Sequence, residues 1–291
     1  MISIVIVHWN TPDLLAACLD SMLRADDAGL IEDVIVVDCA STDESFVAIA
    51  GNFPAVKLVR LDRNDGYAAG CNAGLAATSS EFVLFLNADT SLLPDSIDLL
   101  LRCLNLNPRI GLVAPLLLNP DGTPQSAGYR FPGVANVLCD LLPVPDRIRG
   151  SESNGRLDPG NLYHPYAIDY PLGAAMALRR AALEDIGGWN ESFRMYSEEI
   201  DLARRLDSAG WSRLLVPRAR VIHHGGASTG QRPTEMQAAL WRSRGRYHRL
   251  WSSRIQRLTL RSTIEVATRI AGDRSDGQLI RQSFADGLAG R

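Results

Sequence analysis

The stretch Phe82-Val-Leu-Phe-Leu-Asn87-Ala-Asp89 is an apolar run that ends directly in an amide and a carboxylate. A short continuous apolar run of this kind is typical of a strand that is buried on both faces. Similar runs occupy residues 2–7, 34–38 and 56–61. The N-terminal third of the chain therefore predicts a series of buried strands, each followed by polar side chains.

Helical patterns fill the intervals between these strands, at residues 12–24, 42–51 and 67–77, and another follows at 94–106. Each begins near a capping side chain or carries proline in its first turn. Repeated strand–helix units predict an α/β fold with a mostly parallel central sheet and helices on both faces. Because ligands of such sheets bind beyond the carboxyl ends of the strands, we expect the polar groups there to meet at one edge. These groups are His8-Trp9-Asn10, Asp38, Arg63-Asn64 and Asn87-Ala-Asp89.

The pattern changes after this region. Residues 112–118 and 127–131 flank the turn sequence Asn119-Pro-Asp-Gly122 and predict a hairpin. Residues 132–169 have little periodicity, and loops of this length are usually functional or disordered. Further predicted elements are strands at 170–178 and 214–217, helices near 180–186 and 198–209, and a helical region at the end.

Composition excludes several classes of protein. A net charge of −3 gives no case for nucleic-acid binding, and 46% apolar residues can fill a globular core. Five cysteines without a C-x-x-C pair argue against a disulfide framework and a structural zinc site, and fit a reducing cytoplasm. No apolar run approaches the roughly 20 residues of a membrane span. The chain lacks G-x-G-x-x-G, which disfavours a dehydrogenase.

The spacing of Asn87 and Asp89 lets both side chains address one hard cation. Mg²⁺ and Mn²⁺ prefer oxygen ligands and commonly complete their shell with substrate phosphates. His223 and His224, at the end of a later strand, offer imidazoles that could bind the same cation. The alternative is that Asp89 caps the following helix and that the histidine pair is structural.

Two other segments carry groups suited to a nucleotide. The Asp38 carboxylate can accept hydrogen bonds from a ribose or from a base N–H, with helix capping as the alternative. Arg63 and Asn64 could reach a diphosphate. Glycines at every fourth position from Gly66 to Gly74 lie along one helix face, which permits either close packing on the sheet or approach to a ligand.

Glu198, Glu199 and Asp201 place three acids at the start of a predicted helix. Acids there interact favourably with the helix dipole by about 0.3 to 1 kcal/mol each. Two adjacent carboxylates are also suited to general-base chemistry, because their repulsion raises one pKa towards the useful range.

In this order the motifs resemble those of family 2 inverting glycosyltransferases of the GT-A fold, and are most similar to the bacterial rhamnosyltransferase-like branch. The resemblance covers roughly residues 1–230. It rests on His8-Trp-Asn10, Asp38-Cys-Ala-Ser-Thr-Asp43, Asn64-Asp-Gly-Tyr-Ala-Ala-Gly-Cys-Asn72-Ala-Gly74, Leu86-Asn-Ala-Asp89, and Gly187-Gly-Trp-Asn-Glu191 followed by Glu198-Glu-Ile-Asp201.

The resemblance implies a Rossmann-like GT-A domain and a role for each motif. Asp38 would bind the nucleobase, Asp89 and His223 the metal, and Glu199 would be the catalytic base. The remaining donor-site positions implied by the motifs are His8, Asn10, Arg63, Asn64, Gly66, Asn72 and Asn87. Residues 1–110 would form the nucleotide-binding half of the domain and 111–230 the acceptor and catalytic half.

Three positions depart from the family pattern. Cys39 replaces the asparagine of D-N-x-S, and Asn87 replaces the first aspartate of D-x-D, which leaves Asp89 as one charged ligand. Glu199 replaces the aspartate of E-D-x-D and leaves Glu198 as an alternative base.

The activity implied by the resemblance is transfer of a sugar, with L-rhamnose or a related hexose as the best guess, from a dTDP- or UDP-sugar. The acceptor would be a hydroxyl of a cell-surface glycan or a lipid-linked molecule, and the cofactor Mg²⁺ or Mn²⁺. The alternative is a catalytically inactive nucleotide-sugar-binding or regulatory protein with the same fold.

Residues 231–291 form a separate basic helical region. From Met236 onward, apolar residues at helical spacing interleave with arginines and predict one basic amphipathic helix. Its apolar stripe could pack on the catalytic domain or on a second copy of the chain, as a homodimer. Alternatively, residues 236–261 attach the protein peripherally to the anionic inner face of the plasma membrane.

Overall fold

The computed structural model describes residues 1–26, 29–43, 49, 51–142, 144–157, 163–225, 230, 232–270 and 274–291. Most of the helix predicted at residues 42–51 lies outside this part of the chain. The strands are β1 (Ile2–His8), β2 (Ile31–Asp38), β3 (Lys57–Arg60), β4 (Phe82–Asn87), β5 (Thr90–Leu92), β6 (Ile110–Leu118), β7 (Gly128–Tyr129), β8 (Tyr166–Ala167), β9 (Tyr170–Pro171), β10 (Ala175–Arg179) and β11 (Ser212–His223).

The described helices are α1 (Pro12–Ala25), α2 (Tyr67–Ala76), α3 (Ser96–Leu106), α4 (Val134–Leu141), α5 (Asp146–Arg149), α6 (Arg180–Asp185), α7 (Glu198–Ser208), α8 (Pro233–Trp251), α9 (Arg254–Ile270) and α10 (Arg274–Ala289), with a 3₁₀ turn at Glu152–Asn154. The N-terminal strands and helices agree with the predicted ones to within a few residues. Their patterns are local, so they could be read from the sequence.

The main sheet has the strand order β3-β2-β1-β4-β10-β6-β11-β5, with β8 beside β11. Strands β3, β2, β1 and β4 are parallel, as are β6 and β11, whereas β10 is antiparallel to both of its neighbours. The sheet is therefore mixed, with its parallel N-terminal half as predicted. The register pairs His8 with Asp38 and Val7 with Asn87, so these strand ends lie side by side.

Both faces of the sheet are covered, as predicted. Ile4, Ile6 and Leu84 belong to the core under α1 and α3. Val5 and Phe85 belong to a second core under α2, α6 and α7. Alternate residues of one strand thus point to opposite layers, which is why these strands read as continuous apolar runs.

The glycines of α2 allow this helix to lie close to the sheet. A Cβ at Gly70 would be 2.6 Å from Val7 Cγ1, and one at Gly74 would be 2.2 Å from Val5 Cγ1. Side chains at these positions would therefore push the helix away from β1. Close packing accounts for these two glycines.

The predicted hairpin at residues 112–131 forms only next to its turn, where Leu118 and Pro124 make an antiparallel bridge and Gln125 N donates to Leu117 O at 2.8 Å. The turn itself forms, because Asn119 N donates to Thr123 O at 2.8 Å. However, β7 pairs with β9 of the second, two-stranded sheet and not with β6. Tyr129 stacks on Tyr170 with ring centroids 5.2 Å apart, a pairing that joins distant parts of the chain.

Residues 132–169 are also more regular than predicted. They contain α4, α5, the 3₁₀ turn and β8. Val137 of α4 packs in one apolar cluster with Trp241 of α8 and Ile264 of α9. This stretch acquires its structure by packing against the C-terminal helices, so its own periodicity is weak.

The C-terminal region is three helices and not the single amphipathic helix predicted. Ser252 is extended and ends α8. Ser253 N donates to Gln256 Oε1 at 2.8 Å and Gln256 N donates to Ser253 Oγ at 3.3 Å. These reciprocal bonds are a capping box that starts α9, a local signal overlooked in the sequence.

The C-terminal helices are attached to α7. Trp251 Nε1 of α8 donates to Asp201 Oδ1 of α7 at 2.8 Å, and Arg204 Nε of α7 donates to the Tyr247 hydroxyl at 3.0 Å. The Asp201 carboxylate therefore attaches α7 to α8. In the part of the chain that the structure describes, no helix has both the length and the apolar character needed to cross a membrane.

Candidate active site

Asp38 ends β2 as a buried carboxylate with an unsatisfied oxygen. Ser41 N donates to its Oδ1 at 3.2 Å. Its Oδ2 lies 3.4 Å from Arg60 Nε without hydrogen-bond geometry, and has no hydrogen-bond partner among the described residues. Because an unsatisfied buried oxygen is costly, this atom is suited to accept an N–H or O–H from a ligand.

His8 and Asn10 shape the loops beside Asp38. His8 is buried, and burial lowers its pKa, although the negative charge of Asp38 opposes this shift. Asn10 adopts a left-handed backbone, with φ 51°. Its Oδ1 accepts from Thr42 N at 2.9 Å, and its N donates to Ser41 Oγ at 3.0 Å. The loops after β1 and β2 are therefore joined to each other.

Asp89 lies in the tight turn between β4 and β5. The helix-capping alternative does not apply, because Thr90 begins β5 and α3 begins only at Ser96. The Asp89 side chain is 13% exposed, and its Oδ1 lies 3.6 Å from His223 Nε2. A carboxylate and an imidazole therefore face each other at the edge of the sheet.

Gln125 fixes the ring of His223. His223 Nδ1 lies 3.0 Å from Gln125 Oε1, and Gln125 Nε2 donates to the His223 carbonyl at 2.9 Å. Since an amide oxygen only accepts, Nδ1 carries the proton and Nε2 keeps a lone pair towards Asp89. Burial lowers the pKa of His223, which favours this neutral form. His224 is exposed, so the geometry selects His223 of the pair.

The Asp89–His223 pair fits a divalent cation that takes further ligands from a substrate. Among the described residues, no group of three or more His, Cys, Asp or Glu side chains could hold a metal ion. The pair offers one oxygen and one nitrogen. Magnesium and manganese sites with so few protein ligands are completed by phosphates and water.

The segment that enters β10 connects Glu199 to the end of β4. Ala174 O accepts from Asn87 N at 2.9 Å. A Cβ at the preceding Gly173 would be 3.6 Å from Glu199 Cβ. Tyr196 and Ser197, the pair of residues that directly precede α7, have left-handed backbone conformations with φ 67° and 64°. Strained residues of this kind cluster at functional sites, where packing holds them in place.

Burial raises the pKa of both glutamates at the start of α7. The pKa of Glu199 rises to about 7, against the opposing effect of the backbone N–H groups of Glu199 and Ile200. For Glu198, burial and then the charge of Glu199 raise the pKa well above its ordinary value. The sequence-based interpretation named repulsion as the cause, whereas burial is the larger one. Glu198 is buried whereas Glu199 is only partly buried, so Glu199 is the better placed of the two to accept a proton from a substrate.

The N-terminus of α2 is clamped by the loop before α7. Tyr67 N donates to Arg194 O at 2.9 Å. Gly66 has φ 100°, and a Cβ there would be 1.9 Å from the same Arg194 oxygen. Glycine is therefore required at this close approach. Asn64 Oδ1 accepts from Gly66 N at 3.0 Å.

Two other predicted donor-site residues make contacts of their own within the protein. Asn72 Oδ1 accepts from Trp189 N at 2.9 Å, and its Nδ2 donates to Glu191 Oε1 at 2.7 Å. These bonds attach α2 to the turn before α7. Arg63 is exposed and pairs with Asp65. The structure thus lines up His8, Asp38, Asn87, Asp89 and His223 along one edge of the sheet, and Glu199 is connected to this edge through Gly173 and Ala174, whereas the Arg63 side chain is exposed.

Sequence reasoning missed Gln125, Gly173 and Arg194. Gln125 is 98 residues from His223, and its contact depends on the turn after β6. Gly173 and Arg194 act through backbone position. No local pattern identifies such residues, because their partners come from distant parts of the chain.

Comparison with known proteins identifies the family of the chain. The sequence model of the family described as Glycosyl transferase family 2 matches residues 3–187. An N-acetylglucosaminyl-diphospho-decaprenol L-rhamnosyltransferase of Mycobacterium tuberculosis is 31% identical over 222 residues, which cover 71% of this chain and 71% of that protein. The chain belongs to glycosyltransferase family 2.

This glycosyltransferase also resembles an O-antigen biosynthesis protein, RfbC, of Myxococcus xanthus. The two are 28% identical over 237 residues, which cover 78% of the glycosyltransferase and 17% of RfbC. The family predicted from the five motifs is thereby confirmed.

Two solved structures share the fold of the glycosyltransferase. GalNAc-T7 with UDP, GalNAc and Mn²⁺ has a TM-score of 0.66 at 16% identity, covering 99% of this chain and 54% of GalNAc-T7. The mannosyltransferase PcManGT from Pyrobaculum calidifontis, with GDP-Man and Mn²⁺, has a TM-score of 0.60 at 15% identity, covering 99% and 85%. At such identities the likeness concerns the fold alone, and it confirms the predicted GT-A architecture.

Proposed function

We propose that this glycosyltransferase transfers L-rhamnose or a related hexose, with inversion, from a dTDP- or UDP-sugar to a hydroxyl of a lipid-linked or glycan acceptor. The observation that carries the proposal is the chain of contacts from the Asp89–His223 pair through Asn87 and Ala174 to Gly173 and Glu199. These contacts support an arrangement in which the Asp89–His223 pair would bind a cation and the Glu199 carboxylate would act at the same edge of the sheet. The name of the mycobacterial relative supports rhamnose and a lipid-linked acceptor.

The donor would lie across the carboxyl ends of the parallel strands. The unsatisfied Oδ2 of Asp38 would accept a hydrogen bond from the nucleobase. Asp89 and His223 would hold Mg²⁺ or Mn²⁺, which when bound supplies Lewis-acid stabilisation of the diphosphate leaving group. The other residues assigned to the donor site are His8, Asn10, Arg63, Asn64, Gly66, Asn72 and Asn87.

Glu199 would act as the general base. It accepts the proton of the acceptor hydroxyl while that oxygen forms a bond to the anomeric carbon. The bond from the anomeric carbon to the diphosphate oxygen breaks on the opposite face. Because one displacement occurs, the product has inverted configuration. Glu198 remains protonated beside Glu199 and lowers the charge density of the pocket.

We also propose a peripheral membrane contact, but at a different surface from residues 236–261 as a whole. Trp241 and Tyr247 of α8 are buried, so this part of the predicted stripe is not available to lipid. On α9, by contrast, four exposed apolar residues recur on the face opposite its buried side: Ile255, Leu258, Val266 and Ile270. Arginines flank this face, which suits an anionic lipid surface.

The activity is tested with a panel of nucleotide-sugars in the presence of Mg²⁺ or Mn²⁺. A donor that binds the native state should raise the melting temperature. At a donor concentration 100 times its Kd, the free energy of unfolding should increase by about 2.7 kcal/mol. Transfer from this donor to a hydroxyl acceptor is then followed by NMR of the anomeric proton. Inverted product supports the proposal. Retained configuration, or donor binding without transfer or hydrolysis, rejects it in favour of another mechanism or a binding protein.

A further inference from the structure

A cavity of about 540 Å³ lies between the loop that precedes α7 and helices α8 and α10. Its charged lining consists of Arg194, Arg242, Arg246, Arg291 and Asp286. Asp286 Oδ1 lies 3.2 Å from Arg291 Nη2, so this acid is already paired. Among the described residues, no salt bridge joins Arg194, Arg242 or Arg246 to an Asp or Glu side chain, although Arg194 Nη2 donates to the Asn64 carbonyl at 2.7 Å and Arg246 Nη2 donates to Arg291 O at 3.4 Å. The cavity therefore carries a strong excess of positive charge.

Arg246 keeps a donor that the described protein does not use. Its buried Nε has no hydrogen-bond partner among the described residues. Burial, together with the positive charges of Arg249 and Arg242, lowers its pKa. A guanidinium in such surroundings is stabilised by an anion that offers several acceptor oxygens.

The walls of the cavity are rigid. Helices α8 and α10 cross in close contact, since a Cβ at Gly287 would be 1.9 Å from Arg242 O, and one at Gly245 would be 2.3 Å from Phe284 O. Ser243 Oγ donates to Met195 O at 2.6 Å and attaches α8 to the loop. The arginines are therefore carried on fixed elements, as a binding site requires.

The cavity includes part of the loop that leads to the proposed base. Met195 lines it and precedes Glu199 by four residues, so the chain keeps their Cα atoms within about 15 Å. The lining comes from this loop and the C-terminal helices, and none of it from the strand ends assigned to the donor. An anion here would belong to the molecule that presents its hydroxyl to Glu199.

We propose that this cavity binds the diphosphate of the acceptor, a sugar attached to a lipid through a diphosphate group. The inference rests on the proposed function, because the acceptor enters the molecule only through that activity. Arg242 and Arg246 face the diphosphate from α8 and Arg194 from the loop, while the sugar lies towards Glu199. A neutral acceptor lacks these interactions.

Binding is tested first without catalysis, by calorimetry with inorganic pyrophosphate in the presence of EDTA. The double variant Arg242→Gln/Arg246→Gln should weaken binding at least tenfold, since each bond between charged groups contributes substantially. The control Arg218→Gln removes an exposed charge elsewhere and should bind like the wild type. Asp89→Ala should also bind like the wild type. Equal affinity in the double variant, or loss of binding in Asp89→Ala, would overturn the proposal.

Transfer to paired acceptors then identifies the source of the diphosphate. The same sugar is offered once on a lipid diphosphate and once as a neutral alkyl glycoside. Arg242→Gln should raise KM for the diphosphate acceptor about tenfold, with KM for the neutral acceptor and for the donor unchanged, and Arg242→Lys should recover part of the loss. Equal effects on both acceptors contradict an acceptor site. If no donor supports transfer at all, the proposed function fails, whereas the calorimetric result still decides whether the cavity binds diphosphate.

Discussion

Glu199 is the residue whose burial most directly affects its proposed chemistry, through its pKa. Its pKa is raised to about 7, mainly by burial, from an ordinary value of 4.5. A carboxyl with a raised folded-state pKa contributes stability that is present below the unfolded pKa and is lost as the pH rises through the folded pKa. The glycosyltransferase therefore loses stability as the pH rises from about 4.5 to about 7, and in return keeps a base that is ready to accept a proton.

We expect the substitution Glu199→Gln to change the free energy of unfolding more favourably at pH 8 than at pH 5. The difference in unfolding free energy between variant and wild type should grow by about 1–2 kcal/mol over this interval. Urea unfolding at both pH values measures it. Glu184→Gln, which changes an exposed acid, is the matched control and should show no such growth. A pH-independent difference would mean that Glu199 titrates normally.

Gln125 provides a second test at this scale, because it acts on the metal site only through His223. We expect Gln125→Leu to weaken Mn²⁺ binding in the presence of donor by about 10- to 100-fold, as removal of such supporting hydrogen bonds commonly does. Binding of the nucleotide without metal should be unchanged. Isothermal titration of Mn²⁺ into the protein with bound donor measures this affinity. An unchanged Mn²⁺ affinity would exclude His223 as a ligand oriented by Gln125.

At the scale of elements, α2 links the sheet to the loop that carries Arg194 and the start of α7. Its spacing of glycines was evident in the sequence, but their roles differ. Gly70 and Gly74 bring the helix close to β1, whereas Gly66 lets the Arg194 carbonyl reach the helix N-terminus. Only the structure separates these roles, because Arg194 is far away along the chain.

Gly66→Ala should destabilise the protein by about 2–4 kcal/mol, because its Cβ meets a backbone oxygen and φ is positive. The variant should also lose activity beyond its loss of stability, since Arg194 precedes the glutamates by only a few residues. Gly133→Ala is the control, because a Cβ there meets nothing within 4 Å. Urea unfolding and the transfer assay give the two readouts. Similar stabilities for both variants would argue against the clamp.

Elements with a local sequence pattern could be predicted from the sequence, whereas contacts between distant residues could not. Strands β1 and β4 and helix α1 follow from short apolar runs, periodicity and capping, and the strand-end residues Asp38 and Asp89 follow from them. The hairpin after β6 is shorter than predicted, because Tyr129 pairs with Tyr170. Gln125 could not be found because nothing near it in the chain indicates a contact with His223.

For the whole molecule, the C-terminal helices pack against the helix whose first turn carries the proposed base. Trp251 and Tyr247 attach them to α7, and Arg242 and Arg246 line the cavity that includes Met195 of the loop before α7. Their remaining apolar face is on α9, where Ile255 is 77% exposed. This arrangement allows one helical layer to contact both the acceptor and the surface from which a lipid-linked acceptor would come.

The membrane contact is tested by co-sedimentation with vesicles. The wild type should bind phosphatidylglycerol vesicles more tightly than phosphatidylcholine vesicles. Ile255→Glu/Leu258→Glu should reduce binding at least about tenfold, because two apolar side chains no longer enter the interface. Leu23→Glu, at an exposed apolar position of α1, is the control. Binding that ignores anionic lipid, or a dimer in solution that the double variant dissociates, would contradict the membrane proposal.

The proposed activity depends on Glu199 as the base for transfer from a metal-bound donor. The direct measurement compares Glu199→Gln with the wild type for donor affinity and for transfer rate in the presence of Mn²⁺. We predict unchanged donor affinity, because Glu199 faces the acceptor, together with a loss of transfer of at least about 100-fold. Glu198→Gln, made in parallel, should retain most of the activity. Transfer by Glu199→Gln at the wild-type rate would contradict the account.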